Sequence, residues 1–215
     1  METLEQIAAR VATALPGVQV TVIPNPALPA QSSLLLGNDS AAAVARFLRD
    51  DTALRLDFCS NVTGVDWPER VVKTTIKTKE MVDGVEKEIS TPHEERLPAY
   101  LEAVYHLYSM SLKHGPIVIR TRTADRGEQT HVPSLTPVWK SAELQEREAY
   151  DLYGILFDGH PDLRRILMWD EFKDFPMRKD YVEPDDYDYE PTPHDEIVAK
   201  AARHATTPAN PFAGA

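Results

Sequence analysis

The chain has 215 residues, enough for one domain with a sizeable core, or one domain plus a tail. Its 23 Lys and Arg against 34 Asp and Glu give a formal net charge of -11, which argues against nucleic acid and against direct docking on an anionic lipid surface. The lone cysteine, Cys59, excludes an internal disulfide, an iron–sulfur cluster and a thiolate zinc site, and predicts a buried, inert thiol.

The opening residues show no basic stretch followed by an apolar core, and no apolar run approaches the roughly 20 residues of a membrane span. A cytoplasmic chain is expected, with any link to a membrane made through partners. Thr3-x-x-Gln6 is a capping box, and Leu4, Ile7, Ala8, Val11 and Leu15 share a face of a helix over 3–15 that Pro16-Gly17 stops. Val18, Val20 and Val22 alternate as a strand, a loop follows at Pro24, Pro26 and Pro29, and Ser33 to Leu36 form a second strand. Asp39 or Ser40 caps a helix over 40–50 with Val44, Phe47 and Leu48 toward the core. Leu54, Leu56, Phe58 and Val62 alternate toward Trp67. Residues 70–90 form a long polar hairpin turning at Asp83-Gly84. Residues 98–112 fit either a helix or a strand buried on both faces. The strand, hairpinned onto Ile117–Thr123, is preferred because the run is short, aromatic and followed by His114-Gly115-Pro116.

Thr136-Pro137 opens the next predicted helix, with Pro at its first position, and Gly154 caps its end. On that helix Val138, Ala142, Gln145, Ala149 and Leu152 form one stripe. Trp139, Tyr150 and Tyr153 form an aromatic stripe with Glu146 in its midst. A carboxylate among aromatics needs a cation, so Glu146 is expected to pair with Arg164 or Arg165, unless it lies at a wet edge. Arg147 faces the other way with Glu143 and Asp151, and is assigned to a partner rather than to stability. Beyond residue 169 acidic residues, Tyr and Pro dominate. Residues 170–195 are expected to order only against neighbours, with Arg178 and Lys179 as cationic contacts. A short helix over Glu196–His204 and a disordered end complete the expected tail, with no internal repeat.

Glu146-Arg147-Glu148-x-Tyr150-Asp151-x-Tyr153-Gly154-Ile155-x-Phe157, followed by Gly159-His160-Pro161-Asp162-Leu163-Arg164-Arg165-Ile166-Leu167-Met168, resembles the signature of the C-type (30 kDa) subunit family of respiratory complex I. Phe58 to Trp67, Val104 to Ser109 and Pro176-Met177-Arg178-Lys179-Asp180-Tyr181 resemble further family segments. Two departures stand out. Asp174-Phe175 replaces a common Gly-His, and the stretch between Trp67 and Tyr105 is longer than usual.

The resemblance implies a structural, cofactor-free subunit of the peripheral arm of a proton-pumping NADH–quinone oxidoreductase, at the cytoplasmic side of the cell membrane. FMN, iron–sulfur clusters and quinone would lie in partner subunits. Its contacts would be the homologue of the D-type subunit, which helps form the quinone site, and cluster-bearing neighbours. The expected fold class is α+β, a mixed, largely antiparallel sheet with helices packed on it. Residues 1–169 would form the core domain and 170–215 an extended acidic arm and tail. Glu146, Arg147, Glu148, Asp151, His160, Arg164, Arg165, Arg178 and Lys179 are the candidate structural and interface residues, and none is assigned a catalytic, cofactor or metal role. Three rivals remain. One is a metal hydrolase using His160, Asp162, His194 and Asp195, although Asp162 is more simply the cap of a short helix begun by Leu163. The others are a free-standing binding module and the equivalent subunit of a membrane-bound hydrogenase or other complex I-like enzyme.

Overall fold

Helix α1, Leu4–Ala14, starts where the capping box predicts, with Thr3 and Gln6 each bonding the other's backbone N–H. It buries Ile7 and Val11. Strands β1, Val20–Ile23, and β2, Ser33–Leu36, form an antiparallel pair. Helix α2, Asn38–Asp50, begins one residue before Asp39 with Gly37 as its cap, and buries Ala41, Val44, Ala45 and Leu48. Leu54 and Leu56 are buried in the core but lie in a turn, where Arg55 adopts φ +39°, so β3 begins only at Phe58 and runs to Trp67.

Strands β6, Tyr100–Ser109, and β7, His114–Arg122, complete a five-stranded sheet ordered β1-β2-β7-β6-β3. The β2–β7 pairing is parallel and the others antiparallel, so the sheet is mixed and the fold is α+β. The stretch 98–112 is thus a strand with its ends in turns. Its side chains alternate cleanly: Leu101, Ala103, Tyr105 and Leu107 enter the core with Ile117 and Ile119 of β7. Ile7, Val11, Val44 and Leu48 join that core, so α1 and α2 lie on this one face. Each fully buried aliphatic side chain of this size contributes about 1.5–3 kcal/mol.

Strands β4, Arg70–Val82, and β5, Val85–Leu97, make a longer ribbon than the hairpin predicted, paired in unbroken register from Arg70↔Leu97 to Val82↔Val85 and with no other strand. The computed structural model describes residues 2–25, 27–28, 31–82 and 85–182, with backbone alone over 74–93. The Asp83-Gly84 turn, the helix expected at Glu196–His204, the tail beyond it, and His194 and Asp195 lie outside the described residues.

After the sheet come β8, His131–Pro133, helix α3, Glu143–Tyr153, and β9, Leu156–Asp158, which pairs parallel to β8. Helix α3 starts six residues later than Pro137 suggests. Residues 134–139 instead wrap a turn around Glu146, and Trp139 stays extended to donate its indole N–H to the Leu56 carbonyl at 2.7 Å. Gly154 ends α3 at φ +76°, as the sequence predicts. Residues 170–181 do not form an arm apart from the core. They belong to the compact unit that ends at Tyr181, because Phe172 is buried and backbone and side-chain bonds tie Met177 to Asp180 down.

Candidate functional site

Helix α3 lies between the sheet and the loop 159–169, and it buries charge on both sides: Glu146 toward the sheet, Arg147 and Asp151 toward the loop. Glu146 meets no cation among the described residues. Its carboxylate accepts from the Tyr105 hydroxyl at 3.0 Å, the Ser134 hydroxyl at 2.5 Å, the Leu135 N–H at 2.8 Å and the Thr136 hydroxyl at 3.1 Å. Burial pushes this carboxyl above its usual range, and the four donors oppose that shift only in part. The expected pairing with Arg164 or Arg165 is therefore wrong. Neutral donors on β6 and the 134–136 turn do the work that was assigned to a guanidinium.

Arg165 belongs to Asp151. Its guanidinium reaches the Asp151 carboxylate at 2.6 Å, with both side chains almost wholly buried. Three consecutive backbone N–H groups, of Ile166, Leu167 and Met168, point at the other Asp151 oxygen at 3.0, 2.7 and 2.8 Å. Burial alone would raise this carboxyl, but the three amides and Arg165 outweigh it and hold it below the usual aspartate range. Arg147, expected to face a partner, is turned into this chain's own loop. It is buried and donates to the carbonyls of Arg164 and Arg165 at 3.1 and 3.0 Å. One loop thus has its N–H groups held by Asp151 and its carbonyls held by Arg147, side chains one helical turn apart.

His160 fastens the start of this loop. Its Nε2 donates to the Glu143 carbonyl at 3.0 Å and its Nδ1 accepts the Asp162 N–H at 3.0 Å, the arrangement of a neutral imidazole. Asp162 caps no helix, since none begins at Leu163; its carboxylate takes the exposed Arg164 Nε at 3.0 Å. Among the described residues no three His, Cys, Asp or Glu side chains come together to hold a metal ion. Cys59 is buried, and burial pushes its thiol up to about 12.

The held loop presents apolar side chains outward. Leu167 is 58% exposed and Ile166 39%, with Leu144 of α3 and Met177 also exposed. Glu148 lies on the exposed side of α3, beside a small cleft lined by Gly64, Tyr153 and Met177. The segment after the loop folds back as a clasp. Arg178 is turned inward, donating to the carbonyls of Tyr153 at 2.7 Å and Arg126 at 3.0 Å and lying over the Phe175 ring. Buried Asp66 receives Arg126 at 2.5 and 2.8 Å and the Lys179 backbone N–H at 2.7 Å, while Arg126 also grips Asp180.

Asp66, Glu102, Tyr105, Arg126 and Ser134 escaped notice in the sequence. A signal existed for the first two. Each is the one acid of its strand, and Glu102 proves wholly buried, with Trp67 Nε1, Arg120 and Arg122 around it.

The buried charges of Arg147, Asp151 and Arg165 hold the shape of the loop. The chain is 44% identical over 138 residues to the second C-type subunit of the NADH-quinone oxidoreductase of Rhizobium meliloti (strain 1021), covering 63% of this chain and 58% of that one. It is 38% identical over 180 residues to the C-type NADH-quinone oxidoreductase subunit of Azorhizobium caulinodans, covering 84% and 69%. Among curated relatives that it matches, the chain spans 45–69% of their length. Its fold resembles a chain of the membrane-bound sulfane sulfur reductase, an archaeal respiratory membrane complex, with TM-score 0.55 and 16% identity over 100% of this chain and 97% of that one. The model of the respiratory-chain NADH dehydrogenase 30 kDa subunit matches residues 35–187, which take in strands β3, β6 and β7 of the sheet, the Asp151 loop and the clasp, and the chain belongs to that family.

Proposed function

We propose that this chain is a structural and assembly subunit of the peripheral arm of a proton-pumping NADH–quinone oxidoreductase. It packs there beside the homologue of the D-type subunit and cluster-bearing neighbours, while FMN, iron–sulfur clusters and quinone reside in those partners. On this reading the chain sits at the cytoplasmic side of the membrane and meets it only through partners. No helix among the described residues is long and apolar enough to cross a membrane.

The observation that carries this reading is the loop 164–169. A rigid apolar projection is favourable for binding because little conformational freedom remains to be lost on docking. Here Asp151, Arg147 and Arg165 fix a loop that exposes Ile166 and Leu167. Of the arm expected over 170–195, the part beyond Tyr181 is proposed to contribute a second contact through Tyr187, Tyr189 and the acids between the prolines of that stretch. The test is tagged chain recovered from solubilised membranes, with the co-purifying proteins identified. Leu167→Asp should abolish co-purification while leaving the isolated chain folded. Recovery of the full set of partners with that variant would overturn the reading. The alternative, an equivalent subunit of a membrane-bound hydrogenase or other complex I-like enzyme, draws on the fold likeness to the archaeal complex, and the identity of the co-purifying proteins decides between the two.

A further inference from the structure

The five-stranded sheet has a second face. Alternation places Leu101, Ala103, Tyr105, Ile117 and Ile119 in the core, so Glu102, Val104, Arg120 and Arg122 stand on the opposite side, in the pairings Glu102↔Arg122 and Val104↔Arg120. No helix among the described residues packs there, because α1, α2 and α3 all join the core on the other face, α3 through Ala149 and the Glu146–Tyr105 bond.

Cations and aromatic rings are interleaved on this face, where Glu102 and Val104 are buried and Trp67, Tyr100, Arg120 and Arg122 stay partly exposed around them. Arg122 lies 4.7 Å over the Tyr100 ring, Arg70 lies 4.6 Å over the Trp67 ring, and the Lys179 amine is 5.5 Å from the same ring. Trp67 and Tyr100 are neighbours at 6.2 Å. Glu102 sits beneath, taking the Trp67 indole at 2.7 Å, Arg122 at 2.6 Å and Arg120 at 3.1 Å. The cations Arg70, Arg120, Arg122 and Lys179 outnumber that carboxylate, in a chain whose formal net charge is -11. Arg120 and Arg122 keep 22% and 33% of their side-chain surface in solvent. Beneath them, two buried nitrogens, Arg120 Nε and His106 Nδ1, have no hydrogen-bond partner.

We propose that this face is a second docking surface, and that it takes an acidic peptide segment of a neighbouring protein, with carboxylates on Arg120 and Arg122 and the peptide laid over Trp67 and Tyr100. Local charge favours an anion, and the flat aromatic pair favours an extended chain. The strong negative charge of the whole chain disfavours the two other polyanions, a lipid surface and a nucleic acid, which act over longer range. The surface is separate from the Ile166–Leu167 projection, so this proposal and the proposed function fail in different experiments.

The test is titration of the full chain with a hexaglutamate peptide, followed by the NMR signals of the Trp67 indole N–H and the Arg120 and Arg122 side chains. Those signals should move, and Arg120→Gln with Arg122→Gln should weaken binding about tenfold or more, while Arg46→Gln, the same kind of charge change on exposed α2, should not. If the double variant fails to fold, the wild-type signals decide: movement confined to other residues overturns the proposal. No binding by the wild type, unchanged binding by a folded double variant, or tighter binding of phosphatidylglycerol vesicles or single-stranded DNA than of the peptide also overturns it.

Discussion

Glu146 and Asp151 are buried carboxylates on one helix, and their surroundings make them opposites. Asp151 is held as an anion by Arg165 and three amides. Its stabilisation is complete above the ordinary aspartate value of 3.8 and is lost as pH falls through the depressed folded value. Asp151→Asn should cost about 3–5 kcal/mol in urea unfolding at neutral pH, because Arg165 is left buried without its anion, and less as the medium is acidified. Glu146 carries the other sign. Its raised carboxyl stabilises the fold most when protonated, and that contribution is lost as pH rises from the ordinary 4.5 through the folded value. Glu146→Gln, which keeps the side chain's shape without its charge, should therefore gain stability relative to wild type as pH rises. A difference that does not vary with pH would sink this account. Double-mutant cycles of Glu146 with Arg164 or Arg165 should show coupling below about 0.5 kcal/mol.

Element by element, the sequence disclosed what local rules control. The Thr3–Gln6 box, the Gly154 cap and the alternation in 100–109 are each written within a few residues, and each is found in place. The start of α3 was misplaced because Pro137 satisfies a local rule while a distant requirement, enclosing Glu146, overrides it. The partner of Glu146 was misassigned for a related reason. A helical wheel gives a direction but not what stands there, and Tyr105 comes from a strand 41 residues away. Gly64 was illegible for the same cause. A β-carbon at this β3 position would stand 2.4 Å from the Tyr153 ring of α3. Gly64→Ala should destabilise by about 1–3 kcal/mol, and the loss should shrink in a Tyr153→Leu background; an equal loss in both would show that the ring is not the obstacle. Among the described strands the β4–β5 ribbon pairs only with itself, so replacing residues 69–98 by a short turn should leave the urea midpoint of the core nearly unchanged.

Across the whole molecule, the clasp changes what counts as the body. A chain ending at Val182 should melt within about 3 °C of the full chain, whereas one ending at Met168 should lose more than about 2 kcal/mol, since buried Phe172 and the Lys179 amide on Asp66 depart together. Equal melting of the two truncated chains would return residues 170–181 to the status of an arm.

The junction at Asp66 also has a consequence for the order of events during synthesis. Its carboxylate lies on β3, its guanidinium partner Arg126 follows β7, and its last amide comes from Lys179. A ribosome delivers these in sequence, so Asp66 emerges first, waits 60 residues for its counter-charge and longer still for its final donor. Until residue 180 has cleared the exit tunnel, the nascent sheet carries an anion at its edge that its own translated portion cannot fully satisfy. The last bond at Asp66 therefore works as a completion mark. Only a chain translated through to the clasp can close that corner, and a prematurely released fragment is left with the defect that quality-control proteases and chaperones act on.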